Sequence, residues 1–303
     1  MDDTRAGFVA LIGEPNAGKS TLLNQMVGAK VSIVTHKVQT TRARIRGVAI
    51  EDTAQIVFVD TPGLFRPQRR LDRAMVAAAW SGAADADIVV LMIEAHRGLT
   101  EGVAAILQGL RDRAGARPVA LVINKIDRVK SEILLGLSEK MNEQYDFAQT
   151  FMISAEKGHG VPALRSWLAT ELPEGPWLYP EDQIADLPLR MIAAEITREK
   201  LTLRLHQELP YQLTTETEAW EERKDGSVRI DQMIYVIRDG HKGIVLGNKG
   251  ETIKAVGKAA REELEALLDR RVHLFLKVKV RPGWLDEAER YSAIGLDFAD
   301  GKG

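Results

Sequence analysis

The chain has 303 residues, which is long enough for two domains because single hydrophobic cores rarely grow beyond roughly 250–300 residues. Its hydrophobic and charged fractions, 45% and 28%, are typical of a globular protein, and the lack of cysteine excludes disulfides and thiolate zinc sites. The formal net charge of −2 gives no overall attraction to nucleic acid. The N-terminus lacks the basic start and apolar run of a signal peptide, so we expect a cytoplasmic protein.

The first half of the chain alternates between short apolar runs and helix-like stretches. Such runs are typical of buried strands, and helices between them indicate a mostly parallel α/β sheet with helices on both faces. The strands are predicted over Phe8–Ile12, Gln55–Val59, Ile88–Ile93, Val119–Ile123 and Thr150–Ile153. The stretch 173–186 is rich in proline and predicts a linker, so we expect one domain over 1–172 and a second over 187–303.

The second half has a different order of elements. A helix over about Leu187–His206 precedes two strands joined by a Lys224-Asp225-Gly226 turn signal. A short turn, a long helix over Glu251–Leu268, a third strand and a final helix from Trp284 follow. The three strands are predicted over Tyr211–Trp220, Val228–Ile237 and Val272–Val280. A hairpin with helices collected together indicates an α+β domain.

A glycine-rich loop follows the first predicted strand and opens a helix. Residues 13–20 match the G-x-x-x-x-G-K-[ST] pattern, in which backbone N–H groups and a helix N-terminus surround phosphates. We expect Lys19 to reach the β- and γ-phosphates of a nucleotide and the Ser20 hydroxyl to ligate Mg²⁺. The predicted nucleotide-binding residues here are Gly13, Glu14, Pro15, Asn16, Ala17, Gly18, Lys19, Ser20 and Thr21.

The string Asp60-Thr61-Pro62-Gly63 stands at the end of another apolar strand. A carboxylate there can hold Mg²⁺ through a water, and the Gly63 N–H can sense the γ-phosphate. A threonine upstream of this motif is needed to complete the Mg²⁺ shell, and the sequence does not separate Thr40 from Thr41. The residues predicted to act in hydrolysis are therefore Lys19, Thr40, Thr41, Asp60 and Gly63, and the predicted metal ligands are Ser20, Thr40, Thr41 and Asp60.

Two further motifs indicate guanine as the base. In Asn124-Lys125-Ile126-Asp127, the Asp127 carboxylate is expected to accept hydrogen bonds from the guanine N1–H and exocyclic amine. Adenine lacks this donor pair and would leave the carboxylate unpaired, which disfavours an ATPase. Ser154-Ala155-Glu156 follow the next strand, where the Ala155 N–H is expected to meet guanine O6.

The water-positioning group is missing from the usual place. Ras-like proteins orient the attacking water with a glutamine, but the residue after Gly63 is Leu64, which cannot hydrogen-bond. We therefore expect slow hydrolysis or another device. One hypothesis is a bound K⁺, because Asn16 occupies the position that coordinates K⁺ in cation-activated relatives; ordinary turn chemistry at Asn16 is the alternative.

A G-x-x-G turn opens the long helix of the second domain. In KH domains such a loop clamps the backbone of single-stranded nucleotides, and the order of elements around it favours that assignment. The predicted RNA-binding residues are Arg238, Lys242, Gly247, Asn248, Lys249, Gly250 and Lys254. We expect Trp220, Tyr235 and Trp284 in the core rather than stacked on bases.

These motifs together resemble the Era family of bacterial ribosome-assembly GTPases. The matching strings lie at 13–20, 39–42, 60–63, 124–127, 208–211 and 247–254. The resemblance implies a type II KH fold, binding to the 3′ end of 16S ribosomal RNA, a role in 30S subunit maturation and peripheral association with the inner membrane. The sequence itself has no anchor and no basic amphipathic helix to support the membrane part.

The residues alone are compatible with two functional interpretations. In one, the nucleotide state of a GTPase switch tunes RNA binding by the second domain. In the other, a regulatory GTPase carries a C-terminal protein-interaction module, and G-x-x-G is only a turn. Both take GTP or GDP with Mg²⁺ as ligands, and nothing in the sequence suggests an obligate dimer.

Overall fold

The computed structural model of the chain describes residues 4–35, 37, 41, 45–183, 185, 188–206, 209–284, 287 and 296. They fall into two compact units, the first drawn from Met1–Ser32, Thr41–Asp186 and Tyr291–Gly303, and the second from Ile33–Thr40 and Leu187–Arg290. The candidate ligand Thr40 and nearly all of the helix predicted from Trp284 lie outside the described residues. The domain limits drawn from the sequence stay a prediction.

A six-stranded sheet forms the centre of the first unit. Its strands are β1 Arg5–Gly13, β2 Ile45–Glu51, β3 Ala54–Asp60, β4 Ile88–Glu94, β5 Val119–Asn124 and β6 Gln149–Ile153. Their order is β2-β3-β1-β4-β5-β6, with β2 antiparallel to β3 and every other neighbouring pair parallel. The predicted mostly parallel sheet is confirmed, and β3, β4 and β5 are buried along their whole length, which explains their continuous apolar runs.

Among the residues that the structure describes, five α-helices accompany this sheet. They are α1 Lys19–Val27, α2 Arg70–Asp85, α3 Glu101–Arg113, α4 Ser131–Gln144 and α5 Val161–Glu171. Apolar side chains of α3 and α4, such as Leu107 and Met141, pack against Leu91 and Leu121 of the sheet in one buried cluster. Because β1, β3, β5 and β6 run parallel, the nucleotide motifs that follow them collect at a single edge.

The described part of the second unit combines three strands with three α-helices. Its elements are α6 Leu189–Arg204, β7 Leu213–Glu222, β8 Val228–Val236, α7 Asp239–Leu246, α8 Glu251–Leu268 and β9 Val272–Val280. The sheet order is β7-β8-β9, with β7 and β8 antiparallel and β8 and β9 parallel. Apolar residues of α6 and α8, including Ile196 and Ala260, pack on Ile230 of β8. The predicted α+β arrangement is confirmed, and Tyr235 and Trp284 are buried as expected.

Helix α7 stands where the sequence predicted only a short turn. Gly240 and Gly243 fall within its eight residues, and glycine costs about 1 kcal/mol relative to alanine inside a helix. The local helix propensity of the sequence is therefore low, while burial of Val245 stabilises the helix. Among the described residues, none of the helices combines the length and apolar character needed to cross a bilayer.

Candidate functional site

The loop between β1 and α1 has a backbone shape that few residues adopt. Gly18 has φ 99° and Asn16 has φ 68°, both in the region that favours glycine and tolerates asparagine. A Cβ on Gly13 would lie 2.3 Å from the Met92 carbonyl oxygen, and one on Gly18 would lie 2.2 Å from Asn124 Nδ2. Close approach of neighbouring strands therefore requires both glycines of the motif.

The Lys19 side chain is held by the backbone of this loop. Its Nζ donates hydrogen bonds to the carbonyl oxygens of Gly13 at 3.1 Å and Glu14 at 3.0 Å, and the side chain is buried. Burial lowers the pKa of Lys19 to about 8, opposed by the charges of Asp60, Glu14 and Glu94. A buried ammonium with two carbonyl partners keeps a third donor for a phosphate oxygen.

A buried carboxylate gathers three hydroxyl groups at the end of β3. Asp60 Oδ2 accepts hydrogen bonds from Ser20 Oγ at 2.7 Å, Ser32 Oγ at 2.8 Å and Thr41 Oγ1 at 3.4 Å. The other oxygen, Oδ1, is buried without a hydrogen-bond partner among the described residues. Burial raises the pKa of Asp60 although Lys19 and the three hydroxyls oppose it. An unsatisfied buried carboxylate oxygen is costly, so this Asp60 cluster fits a hard cation such as Mg²⁺ or one of its waters.

The Asp60 cluster brings together several predicted metal ligands and one residue that the sequence analysis missed. Thr41 Oγ1 lies 2.9 Å from Ser20 Oγ, whereas Thr40 is not described. The missed residue is Ser32, whose N–H and whose carbonyl both bond the Asn24 side chain, at 2.9 Å and 2.7 Å. A serine inside an apolar Val-Ser-Ile-Val run is the only signal that could have pointed to it.

The segment after β3 lies against the phosphate loop. A Cβ on Gly63 would come within 2.7 Å of the Pro15 nitrogen, so glycine is required there. The Leu64 N–H donates to the Gly13 carbonyl at 2.9 Å, and the Leu64 side chain is buried in the core of the unit. The position used by glutamine in Ras-like proteins is therefore a core position here.

Asn124 ties the loops of the site to one another. Its Nδ2 donates to the Ala17 carbonyl at 2.8 Å, and its Oδ1 accepts from the Ala155 N–H at 3.0 Å. These two hydrogen bonds connect the loop before α1 to the segment after β6. The Ala155 N–H, expected to meet guanine O6, is engaged with Asn124, so a contact with the base would share this donor.

Lys125 and Asp127 stand on either side of the short turn after β5. Lys125 has φ 64°, and its Nζ donates to the Asn16 carbonyl at 2.7 Å, which fixes the side chain beside the loop. A hydrogen bond from the Ser154 hydroxyl is the main cause that lowers the pKa of Asp127, and Lys157 Nζ lies 3.9 Å from its Oδ2. The Asp127 carboxylate is therefore ionised at neutral pH and ready to accept hydrogen bonds.

A second buried carboxylate, Glu94 at the end of β4, was also missed. It is 8% exposed, and its Oε2 lies 2.5 Å from Lys125 Nζ and 3.7 Å from His96 Nε2. Its signal was available, since an acidic residue ends an apolar strand at the same edge as Asp60. By contrast, the Glu14 side chain turns to the Thr100 hydroxyl at 2.9 Å, so only the backbone of Glu14 serves Lys19.

The G-x-x-G loop, Gly247–Gly250, joins α7 to α8 in the second unit. Gly247 has φ 74° and ψ 175°, and a Cβ there would lie 2.2 Å from Thr252 Oγ1. Among the described residues, no ion pair involves the exposed ammonium groups of Lys249 and Lys254, nor that of half-buried Lys242. Ile244, just before the loop, is 55% exposed. Unpaired cations and an apolar side chain beside a tight glycine turn suit a polyanionic strand with exposed bases.

Comparison with protein families finds one match in each half of the chain. Residues 8–125 match the family described as 50S ribosome-binding GTPase, and residues 208–285 match the KH domain family.

Similar proteins cover nearly the whole chain. GTPase Era of Dinoroseobacter shibae is 79% identical over 299 residues, which are 98% of this chain and 97% of that protein. GTPase Era of Mesorhizobium japonicum is 64% identical over 295 residues, 97% of this chain and 94% of its own length.

Two crystal structures of Era share the fold at 38% sequence identity and a TM-score of 0.91, and each covers 98% of this chain. One is an Aquifex aeolicus variant bound to GDP and aluminium fluoride. The other is a complex with MgGDPNP and nucleotides 1506–1542 of 16S ribosomal RNA.

Proposed function

The chain belongs to the Era family of GTPases and hydrolyses GTP, and from this premise we propose a switch that binds the 3′ end of 16S ribosomal RNA and acts in 30S subunit biogenesis. The observation that carries the proposal is the G-x-x-G loop with its unpaired lysines, in a unit of the KH family. The 38% identical Era structure with nucleotides 1506–1542 supports the choice of RNA. Switching requires that GTP and GDP favour different states, because a ligand shifts an equilibrium only through differential affinity.

The RNA-binding surface that we assign consists of the G-x-x-G loop and the cations near it. The glycines allow the sugar–phosphate backbone to approach, and the N-terminus of α8 adds a favourable dipole for phosphate. The residues assigned are Arg238, Lys242, Gly247, Asn248, Lys249, Gly250 and Lys254. Sequence selectivity would come from base edges and stacking rather than from these phosphate contacts.

The test is a titration of the full chain with an oligonucleotide that carries the 3′ end of small-subunit ribosomal RNA. A scrambled oligonucleotide is the control, and each is measured with a GTP analogue and with GDP. We expect selective binding whose affinity depends on the nucleotide. Equal affinity for both oligonucleotides would leave the GTPase in place and favour the alternative, a C-terminal protein-interaction module.

The nucleotide site is assigned to the loops at the carboxyl edge of the sheet. We propose that Lys19 and the backbone of residues 13–21 hold the phosphates, and that Asn124, Lys125, Asp127 and residues 154–156 hold the guanine. The Gly63 N–H takes the γ-phosphate, which distinguishes GTP from GDP. Preorganised donors around the transferred group supply most of the catalysis in this reaction class.

The Asp60 cluster would hold Mg²⁺ through the hydroxyls of Ser20 and Thr41, with Asp60 Oδ1 turned to the ion or its water. Bound with the nucleotide, the ion neutralises phosphate charge. Thr41→Ala should weaken Mg²⁺-dependent binding of a GTP analogue about tenfold while leaving GDP little changed. Thr40→Ala is the matched control, and the same loss in that variant would move the assignment to Thr40.

Hydrolysis needs a group to replace the glutamine of Ras-like proteins, since Leu64 is buried. We propose a K⁺ ion beside Asn16, which lies in the phosphate-binding loop with φ 68°. GTP turnover should be several-fold faster in K⁺ than in Na⁺ at equal ionic strength. Equal rates in the two salts would assign Asn16 to turn chemistry alone.

We place the protein in the cytoplasm as a monomer, with the peripheral inner-membrane association that the family resemblance implies. Light scattering should give a mass near 33.5 kDa. In cell fractionation, any membrane-bound portion should be released by high salt, because electrostatic attachment is screened. Retention after a salt wash would require a different kind of attachment.

A further inference from the structure

His241 is a buried histidine that neither the nucleotide site nor the predicted RNA-binding set uses. It lies in the first turn of α7 and is 4% exposed. Its Nε2 accepts a hydrogen bond from Arg238 Nε at 2.7 Å, and its Nδ1 has no partner among the described residues. A buried imidazole with one atom unsatisfied costs stability, so packing alone does not account for this side chain.

The hydrogen bond fixes the chemical state of the imidazole. Arg238 carries only donors, so Nε2 must be the unprotonated acceptor and the ring proton must sit on Nδ1. Burial, followed by the nearby charge of Arg238, lowers the pKa of His241 below its usual range. His241 is therefore neutral at physiological pH and keeps its acceptor turned to Arg238.

Arg238 is restrained at both its backbone and its side chain. It precedes α7 as the N-cap, and its carbonyl accepts from the His241 N–H at 3.0 Å and the Lys242 N–H at 3.3 Å. His241 occupies only the Nε–H of the guanidinium. Arg238 is exposed, and its two terminal nitrogens retain the paired N–H groups that match two oxygens of a phosphate.

We propose that His241 is a positioning residue for RNA binding: it holds the Arg238 guanidinium in the orientation that receives a backbone phosphate. This inference rests on the proposed RNA-binding function and extends it to a residue that does not touch RNA. An arginine side chain that rotates freely loses considerable rotamer entropy when it binds a phosphate. One already held in its binding orientation loses less, so it binds more tightly. Arg238 stands at the opposite end of α7 from the G-x-x-G loop, about 12 Å away for eight residues. The two would therefore take different phosphates of one strand.

The experiment is a double-mutant cycle on the full chain, with the ribosomal 3′ oligonucleotide and a GTP analogue. The variants are His241→Leu, His241→Gln and Arg238→Ala, together with both His241 changes in the Arg238→Ala background. The glutamine amide oxygen can still accept from Arg238 Nε, whereas leucine cannot. Unfolding temperature and GTP affinity of each variant separate RNA effects from loss of fold.

We expect His241→Leu to weaken RNA about fivefold, since about 1 kcal/mol of preorganisation corresponds to that factor. The glutamine variant should stay within about twofold of the unmodified chain, and neither change should matter once Arg238 is alanine. An equal loss in both backgrounds, or no loss from Arg238→Ala, would overturn the positioning role while leaving RNA binding intact. If the unmodified chain binds no RNA, the proposed function fails and this assignment fails with it.

Discussion

The nucleotide site and the G-x-x-G loop use opposite physical strategies. In the first, charged side chains are buried and each contacts several partners: Lys19 bonds two carbonyls and Asp60 gathers three hydroxyls. In the second, Lys249 and Lys254 are exposed and have no ion pair among the described residues. A nucleotide is small and binds in one orientation, so it suits a rigid cage, by which we mean the buried, hydrogen-bonded network around Lys19 and Asp60. A single-stranded RNA is flexible, so it suits exposed charges placed around one tight glycine turn.

The difference predicts how each region responds to mutation. Removing one member of a buried network leaves other groups unsatisfied, so effects should be large, specific and insensitive to salt. Removing one exposed cation takes away a screened interaction, so effects should be modest, additive and strongly salt-dependent. The predictions below test this contrast.

Lys19→Ala should give the largest effect. Loss of a buried, hydrogen-bonded charge from the phosphates should cost about 3 kcal/mol, or roughly two orders of magnitude in GTP and GDP affinity. Fluorescent-nucleotide titration measures the loss. Lys140→Ala, at an exposed lysine of α4, is the control and should bind as the unmodified chain. A loss below threefold in Lys19→Ala would mean that the cage is not rigid.

Asp127→Asn should change the base preference by about a hundredfold, because two hydrogen bonds to a charged acceptor are lost. The asparagine amide can donate to the 2-oxo group of xanthine, so xanthosine triphosphate should gain affinity. Competition between the two triphosphates for a labelled nucleotide measures the exchange. Asp146→Asn, an exposed aspartate beyond α4, serves as control. An unchanged preference in Asp127→Asn would remove this residue from base reading.

The contrast also explains what the sequence could predict. The motif residues at strand ends could be predicted because strand order, loop glycines and ligand chemistry constrain them together. In the structure, Lys19 and Asn124 both contact the loop between β1 and α1. Ser32 was missed because a single serine in an apolar run matches no sequence motif. Its hydroxyl reaches Asp60 because the Asn24 side chain holds the Ser32 backbone by hydrogen bonds. Helix α7 was missed because tertiary burial of Val245 overrides two unfavourable glycines.

Glu94→Gln tests whether this carboxylate, which the sequence analysis did not predict, contributes to nucleotide binding. It weakens the contact with Lys125 Nζ and so should lower guanine-nucleotide affinity about tenfold, in line with the 1.5–3 kcal/mol or so of a charged hydrogen bond. The loss should persist at high salt because the Glu94 carboxylate is buried and screened less than a surface charge. Glu101→Gln, in the exposed first turn of α3, is the control. A salt-dependent loss of the same size would place Glu94 with the screened surface charges.

Lys249→Ala and Lys254→Ala should each weaken RNA by only about threefold at moderate salt, and they should do so for the scrambled oligonucleotide as well. Each loss of a phosphate contact should flatten the slope of log K against log salt by about 0.7 for a single strand. The control is Lys224→Ala, in the turn between β7 and β8, which should leave the slope unchanged. A change in selectivity without a change in slope would assign these lysines to base contacts.

The smallest effect, about twofold between pH 7 and pH 8, concerns the proton on Lys19. Its pKa is about 8 because burial opposes the charged form. Above that pH the free protein has lost the proton, and phosphate oxygens beside Nζ restore it, since a neighbouring negative charge raises a lysine pKa. GDP binding should therefore take up a fraction of a proton at pH 9 and almost none at pH 7.

Calorimetry in two buffers of different ionisation enthalpy measures the uptake directly. Affinity should fall about twofold between pH 7 and pH 8 and about tenfold by pH 9, because binding must first protonate Lys19. Lys19→Ala should abolish the uptake even though it still binds nucleotide weakly. No proton uptake at pH 9 would mean that Lys19 is already charged in the free protein, and the site would then hold a preformed ammonium at every pH tested.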